Sequence, residues 1–312
     1  MLPVAADASV VTMGEGMTPL VEAPFAGRNV QFKLEYVSPT GSFKDRGTAV
    51  LVTKLREWGV KRAADDSSGN AGASLAAYCT RAGIAAEIFV PAHASSQKKS
   101  QIAIFGAKLN EVKGPRERAA EAVEACIDVG GLVYASHAWS PYTYEGTKTV
   151  AYELWEQLGH RAPEFFVSPI GQGSLFLGAY RGFKDLRDAG LISELPSMIG
   201  VQSESCAPIV EAIHNLNRPS LPPSIAEGLA LPDPIHRGEI QEAIKETGGD
   251  AIAVSDLEIL EAWSDLAKTG FYVEPTSAVV GAALKKVTRN GLIVAALTGS
   301  GLKSSAAWTG CG

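Results

Sequence analysis

Little in this chain suits cross-linking or metal capture. Its four cysteines (Cys79, Cys126, Cys206, Cys311) lie far apart with no paired spacing, and its five histidines (His93, His137, His160, His214, His236) show no ligand spacing. Those absences exclude a disulfide framework and a zinc site built from a local motif. Cys79 and Cys126 fall in helical patterns and are expected as small core residues, and the histidines are expected on the surface or in loops. Basic clusters are missing too. With 28 Lys and Arg against 34 Asp and Glu, a net charge of −6 and a pI near 5.5, no stripe exists for nucleic acid or an acidic membrane surface. No apolar run reaches membrane-spanning length, and Met1 to Val11 lacks the basic-then-apolar order of a secretory leader, so a cytoplasmic location is expected. Neither an internal repeat nor a low-complexity segment is visible.

What is present is alternation. Of the 312 residues 46% are hydrophobic and 20% charged, enough for a large core in one big or two ordinary domains. Short β-branched or aromatic runs alternate with segments of 3.6-residue periodicity, the pattern of parallel βαβ units. Val50, Leu51, Leu55 and Trp58 form one helical stripe, stopped by Gly59. A helix over 71–81 precedes the strand Ala86 to Val90, a strand near Lys108 to Val112 precedes a helix with Ala119, Ala122, Val123, Cys126 and Ile127 on one face, and Gly130-Gly131 turns into the strand Leu132 to Tyr134. Later come a helix striped by Val150, Ala151, Leu154, Trp155 and Leu158, the strands Phe165 to Val167, Met198 to Val201 and Leu292 to Leu297, and a long Pro-rich connection from Leu216 to Pro234. Ser255-Asp256-Leu257-Glu258 is a capping box opening a helix that Gly270 ends. The fold class is therefore α/β, with open, mainly parallel sheets flanked by helices.

The run Ser38-Pro39-Thr40-Gly41-Ser42-Phe43-Lys44-Asp45-Arg46-Gly47 delivers one lysine to the first turn of an amphipathic helix. A helix start disfavours a cation, and an amine that is easily neutral is the nucleophile that Schiff-base chemistry needs. The hydroxyls of Thr40 and Ser42 are placed to bond an anionic cofactor. Ser67-Ser68-Gly69-Asn70-Ala71-Gly72 opens the next helix with small and hydroxyl residues, a ready anion loop, or else a plain Asn N-cap. Gly171-Gln172-Gly173-Ser174-Leu175 lies between a strand and a helix, where backbone amides can approach a phosphate. A dinucleotide fingerprint fits it poorly, because the third glycine would fall at Phe176 and Gly178 is two positions late. Leu297-Thr298-Gly299-Ser300-Gly301-Leu302-Lys303 ends the last core strand, and Glu274-Pro275-Thr276-Ser277 either lies near a ligand or caps the helix that follows.

These blocks, in this order, resemble those of the fold-type II pyridoxal phosphate (PLP) enzymes, and the Lys44 block is similar almost letter for letter to that of threonine synthases. The resemblance implies two tryptophan synthase β-like domains: a smaller one, 38–136, inserted in a larger one made of 1–37 and 137–312, with cofactor and amino-acid substrate in the cleft between. It implies a homodimer as well. Lys44 would hold the cofactor and act as base. Asn70 would bond its 3′-oxygen, Gly171, Gln172, Gly173, Ser174 and Leu175 would hold its phosphate, and Thr298, with Ser300 as second choice, would meet its ring nitrogen. Ser67, Ser68, Gly69 and Ala71 would bind the substrate carboxylate, with Ala71 where the family usually has Thr. Glu274 would stand behind the ring.

One departure bears on the substrate. Threonine synthases resembling this chain carry Pro-x-Arg-x-Glu-Gly, whose arginine helps bind the phosphate of O-phosphohomoserine. Here the segment is Pro141-Tyr142-Thr143-Tyr144-Glu145-Gly146, with Thr143 at the arginine's place, and Ser136 to Ser140 just upstream is bulkier than the family pattern. Thr143 is thus the residue facing the substrate's side chain in this reading. The expected activity is threonine synthase-like elimination and replacement. The alternatives are a serine/threonine dehydratase-like lyase with an altered side-chain pocket and, from another class, a regulator that binds PLP or an amino acid without turnover.

Overall fold

The computed structural model describes residues 2–303 except 68, 93, 95, 115–116, 128–130, 218 and 220. In chain order the elements begin with β1 (Leu20–Phe25), β2 (Arg28–Lys33), α1 (Lys44–Glu57), β3 (Arg62–Asp65), α2 (Asn70–Ala82), β4 (Ala85–Pro91) and α3 (Ser96–Ile104). β5 (Lys108–Val112), α4 (Glu117–Ile127), β6 (Leu132–Tyr134), α5 (Pro141–Thr147), α6 (Thr149–Gln157), β7 (Phe165–Pro169) and α7 (Ser174–Asp188) follow. The remainder is β8 (Ser197–Ser203), α8 (Pro208–His214), α9 (Arg237–Glu246), β9 (Asp250–Val254), α10 (Asp256–Lys268), α11 (Pro275–Leu284) and β10 (Ile293–Ala296). No helix among the described residues is long and apolar enough to cross a membrane. The α/β class with parallel-rich sheets flanked by helices is as the alternation predicts.

Two compact units divide the chain: Met1–Glu15 with Ser38–Thr147, and Gly16–Val37 with Lys148–Gly312. The first holds a four-stranded parallel sheet in the order β5-β4-β3-β6. Its core gathers Leu55, Tyr78, Ile88 and Ile102, all fully buried, and each large apolar side chain removed from water there contributes roughly 1.5–3 kcal/mol. The unit ends at Thr147 rather than at residue 136, because α5 packs on α1. That packing is close: a Cβ at Gly146 would lie 2.1 Å from the carbonyl oxygen of Arg46, a separation only glycine permits.

The second unit holds a six-stranded sheet in the order β1-β2-β10-β7-β8-β9, parallel except for the β1–β2 hairpin. Sequence pattern does not announce the hairpin. Its two-residue turn puts Ala26 (φ 50°) and Gly27 (φ 76°) in the left-handed region, and alanine is a poor marker for a position that usually takes Asn, Asp or Gly. On this sheet α10 and α11 bury Trp263, whose ring N–H donates to the Val273 carbonyl at 2.6 Å. Ser255 and Glu258 form the reciprocal capping box that opens α10, as their spacing predicts.

Two side-chain expectations fail. Trp58 is exposed beyond the end of α1, edge-on to Tyr142 with ring centroids 5.4 Å apart, because it follows the last helical turn. Cys126 is exposed on α4 while Ala119 and Val123 are buried, since the buried stripe runs through positions four apart and Cys126 lies beside it. Cys79 is buried as expected, and burial pushes its thiol up to about 12.

Candidate active site

In the first unit Lys44 is the first residue of α1, as its motif predicts, and its ammonium lies 4.5 Å from the centroid of the Phe43 ring. The turn before it is tied down by Asp45, fully buried, whose carboxylate accepts from the Thr40 N–H at 2.7 Å, the Thr40 hydroxyl at 2.6 Å and the Ser74 hydroxyl of α2 at 2.6 Å. Those bonds correct one expectation: the Thr40 hydroxyl is used to fix the turn and is not turned toward a ligand. The hydroxyls of Ser38 and Ser42 differ. Both are buried with no hydrogen-bond partner, although a buried hydroxyl normally has one. An oxygen-rich group beside Lys44 would satisfy them.

The loop after β3 leads straight into α2, whose first residue is Asn70. Gly69, which has no side chain, stands at the N-cap and Asn70 is the first helical residue, so the simple capping reading of Asn70 fails. Ser67 and Ala71 are buried, and the Ser67 hydroxyl accepts from the Gly69 N–H at 3.3 Å. Ser68 lies outside the described residues. Thr143 of α5 is buried, with an unpartnered hydroxyl and its methyl against Gly47 of α1.

In the second unit the turn between β7 and α7 ends at Gly173 with φ +79°, which glycine adopts without strain. A Cβ at Gly171 would lie 2.6 Å from the Gly228 carbonyl oxygen and one at Gly173 2.6 Å from Ile240 Cδ1, so this turn has no room for larger residues at either position. The turn leads into a fifteen-residue helix whose first amides carry the positive end of its dipole. Ser174 and Leu175 are buried at that start, and the Gln172 side-chain oxygen accepts from the Ile235 N–H at 3.1 Å. At the end of β10 the Thr298 N–H donates to Ser277 Oγ at 2.8 Å, while the Thr298 hydroxyl bonds no described residue. Ser300 Oγ accepts from the Leu302 N–H at 3.3 Å. Glu274 lies against Gly299, whose amide oxygen accepts from its N–H at 2.9 Å. The expected helix-capping roles of Thr276 and Ser277 are absent, since no side chain caps α11.

Asp65, Asp66 and His137 form a grouping that sequence reading missed: their ligand-capable atoms lie within 4.8 Å of one another at the carboxyl ends of β3 and β6. His137 is half-buried and bonded to Asp65 rather than lying loose on the surface. The signal was present as an acidic pair ahead of the serine loop and a histidine in the altered segment before α5, but 72 positions separate Asp65 from His137. Only strand pairing joins them.

In the first unit, a lysine at a helix start with unpartnered buried hydroxyls beside it suits an aldehyde that carries oxygen-rich groups, and in the second the glycine turn at the start of α7 suits an anion, the two chemistries of an anionic cofactor carrying an aldehyde. The chain belongs to the family of pyridoxal-phosphate dependent enzymes, whose sequence pattern it matches over residues 11–299. Pyridoxal 5′-phosphate is therefore its cofactor, and within that family the chain is threonine synthase-like. It is 36% identical to the threonine synthase of Methanocaldococcus jannaschii over 97% of this chain and 78% of that protein. The threonine synthase of Mycobacterium tuberculosis is 34% identical over 97% of this chain and 86% of its own length. In fold it is similar to maize serine racemase (TM-score 0.78, 23% identity, 93% of this chain and 90% of that one) and to the threonine deaminase of T.th. (TM-score 0.77, 24% identity, 91% and 92%).

Proposed function

We infer that this protein is a PLP-dependent lyase that removes a β or γ substituent from a small amino acid, most like threonine synthase, which converts O-phosphohomoserine and water to L-threonine and phosphate. The observation that carries the reading is Lys44 at the first residue of α1 with the unpartnered, buried Ser42 hydroxyl two residues before it. When bound, PLP supplies the electron sink for the pair left at Cα. Lys44 holds the cofactor and then takes and returns the Cα proton. The Gly171–Leu175 turn holds the phosphate with its amides and the Ser174 hydroxyl, Asn70 orients the ring, and the Thr298 hydroxyl serves its nitrogen. Ser67, Ser68, Gly69 and Ala71 hold the substrate carboxylate. A neutral hydroxyl at the ring nitrogen moderates the sink, which suits elimination and replacement over transamination.

Thr143 supports a second reading, in which the leaving group carries less charge and the enzyme acts as a serine/threonine dehydratase-like lyase. Its side chain is buried against Gly47 and offers one hydroxyl where an arginine would offer two parallel charged bonds. A homodimer in the cytoplasm accompanies both readings, and light scattering of the purified protein tests the dimer.

The purified protein is expected to be yellow, with a band abolished by borohydride and absent from Lys44→Ala. Incubation with O-phosphohomoserine, L-threonine and L-serine, assayed for phosphate, 2-oxobutyrate and pyruvate, separates the two readings. Phosphate release with threonine formation establishes the first, whereas keto-acid formation alone establishes the second. A Lys44→Ala variant with full activity overturns both.

A further inference from the structure

Asp65 is fully buried at the end of β3, and its carboxylate meets Nδ1 of His137 at 3.1 Å and 3.3 Å. A carboxylate only accepts, so Nδ1 carries the proton of this contact and the ring is held by its inner edge. Nε2 bonds no described residue, and the side chain keeps 13% of its surface exposed. The ring thus presents one unengaged nitrogen away from its buried anchor. Strand pairing fixes where: the Ala135 N–H donates to the Ala64 carbonyl at 2.8 Å, prolonging the β3–β6 ladder to the residue before Ser136 and His137. The dyad therefore stands at the carboxyl edge of the sheet, with Asp65 two residues before Ser67 in the chain and both members in the same unit as Lys44. Ligands of parallel sheets bind at that edge.

We propose that His137, oriented by Asp65, protonates the departing hydroxyl of a hydroxy amino acid in this active site. This rests on the lyase reading, in which Ser67, Ser68, Gly69 and Ala71 hold the substrate carboxylate. Hydroxide is a poor leaving group and needs a proton as it departs, whereas phosphate and halide do not. Lys44 removes the Cα proton, and the electron pair released there becomes the Cα–Cβ double bond. The Cβ–O bond breaks with its pair going to oxygen, which takes the proton from Nε2 and leaves as water. Neutral imidazole remains, with its Nδ1–H still donated to Asp65, and solvent returns a proton to Nε2. The enamine then tautomerises and is hydrolysed to the 2-oxo acid and ammonium. Asp65 acts through His137 as a positioning residue.

The test uses holoenzyme with His137→Gln and Asp65→Asn, and substrates that differ only in the leaving group. In His137→Gln, elimination from L-serine and L-threonine is expected to fall about 10²–10³-fold, the usual loss of a general acid. Elimination from β-chloro-L-alanine, whose chloride needs no proton, and exchange of the Cα proton in D₂O are expected to stay within about threefold, with the cofactor band retained. Asp65→Asn is expected to show the same selectivity with a loss of about 10–100-fold. Equal losses on hydroxyl and chloride substrates, or unchanged L-serine elimination, overturn the proposal alone. So does a wild-type enzyme that eliminates chloride but never hydroxyl. Tight binding of Mn²⁺ or Zn²⁺ that both variants abolish assigns the Asp65–Asp66–His137 grouping to a cation and overturns it too. Absence of Cα exchange by the wild type with every amino acid tried overturns the lyase reading along with it.

Discussion

A Cβ added to Gly47 would sit 2.7 Å from the Thr143 methyl and 2.8 Å from the Thr143 carbonyl oxygen, so α1 and α5 meet backbone against side chain with no room for one more carbon. The contact lies one turn beyond Lys44 and therefore sets the helix that carries it. Gly47→Ala is expected to destabilise the protein by about 1–3 kcal/mol, the usual cost of overpacking, because one of the close atoms is backbone. Urea denaturation reads this as a lower midpoint with unchanged slope, and an unchanged midpoint would show that α5 can shift freely.

Ser42 offers a prediction with opposite signs in two states. Its hydroxyl is buried without a partner, so replacing it by alanine in the cofactor-free protein removes an unmet polar group. Ser42→Ala is expected to leave apo stability unchanged or raise it by up to about 1 kcal/mol, while PLP affinity falls about 3–10-fold for one lost hydrogen bond. Thermal unfolding with and without PLP, and titration of the yellow band, measure the two. A loss of apo stability would mean that the hydroxyl has a structural role.

The second unit buries a lysine. Lys33 Nζ donates to Glu153 at 2.8 Å, Gln157 at 2.9 Å and the Thr18 carbonyl at 2.7 Å, with no exposed side-chain surface. Lys33→Met alone removes this buried cation from beside Glu153 and is expected to cost about 3–5 kcal/mol. The double variant Lys33→Met/Glu153→Leu is expected to recover most of that loss, because the apolar pair removes both desolvated charges. A double-mutant cycle in urea checks it. Strictly additive losses would contradict the coupling.

Acid stability depends partly on Glu87, whose carboxyl is held down at about 2 by hydrogen bonds first from Arg62, then from Lys108. A depressed acid stabilises the folded state above the ordinary carboxylate range and loses that contribution as pH falls through its folded value. Arg62 and Lys108 are about half and two-thirds exposed, so screening limits the effect to roughly 1 kcal/mol. The wild type is therefore expected to exceed Glu87→Gln in stability at pH 7, with the difference shrinking from about pH 4.5 downward and gone near pH 2. Paired denaturation curves at pH 7, 4.5 and 3 follow it. A difference that grows on acidification would reverse the sign of the argument.

Much of this protein is legible one segment at a time. The Lys44 block, the glycine turn before α7, the Ser255–Glu258 capping box and the strand from Lys108 to Val112 are local statements, because helix starts, turns and apolar period depend on neighbours a few positions apart. The same locality explains the misses. Ala26 hides a hairpin turn, Trp58 looks like part of a stripe that ends before it, and Thr40 reads as facing a ligand although its hydroxyl belongs to Asp45.

The sequence by itself determined the α/β class, the lysine at the start of α1 and the absence of an arginine at position 143, since each depends on residue type and short spacing, while the cofactor followed from the resemblance of those blocks to the PLP enzymes. Tertiary structure alone decided which hydroxyls are already used and which remain without partners, that Thr143 is pressed against Gly47, and that His137 is gripped by Asp65. Those facts depend on strands and helices far apart in the chain being brought into register by burial of a common core, and no local pattern records which side chains that packing will bring together.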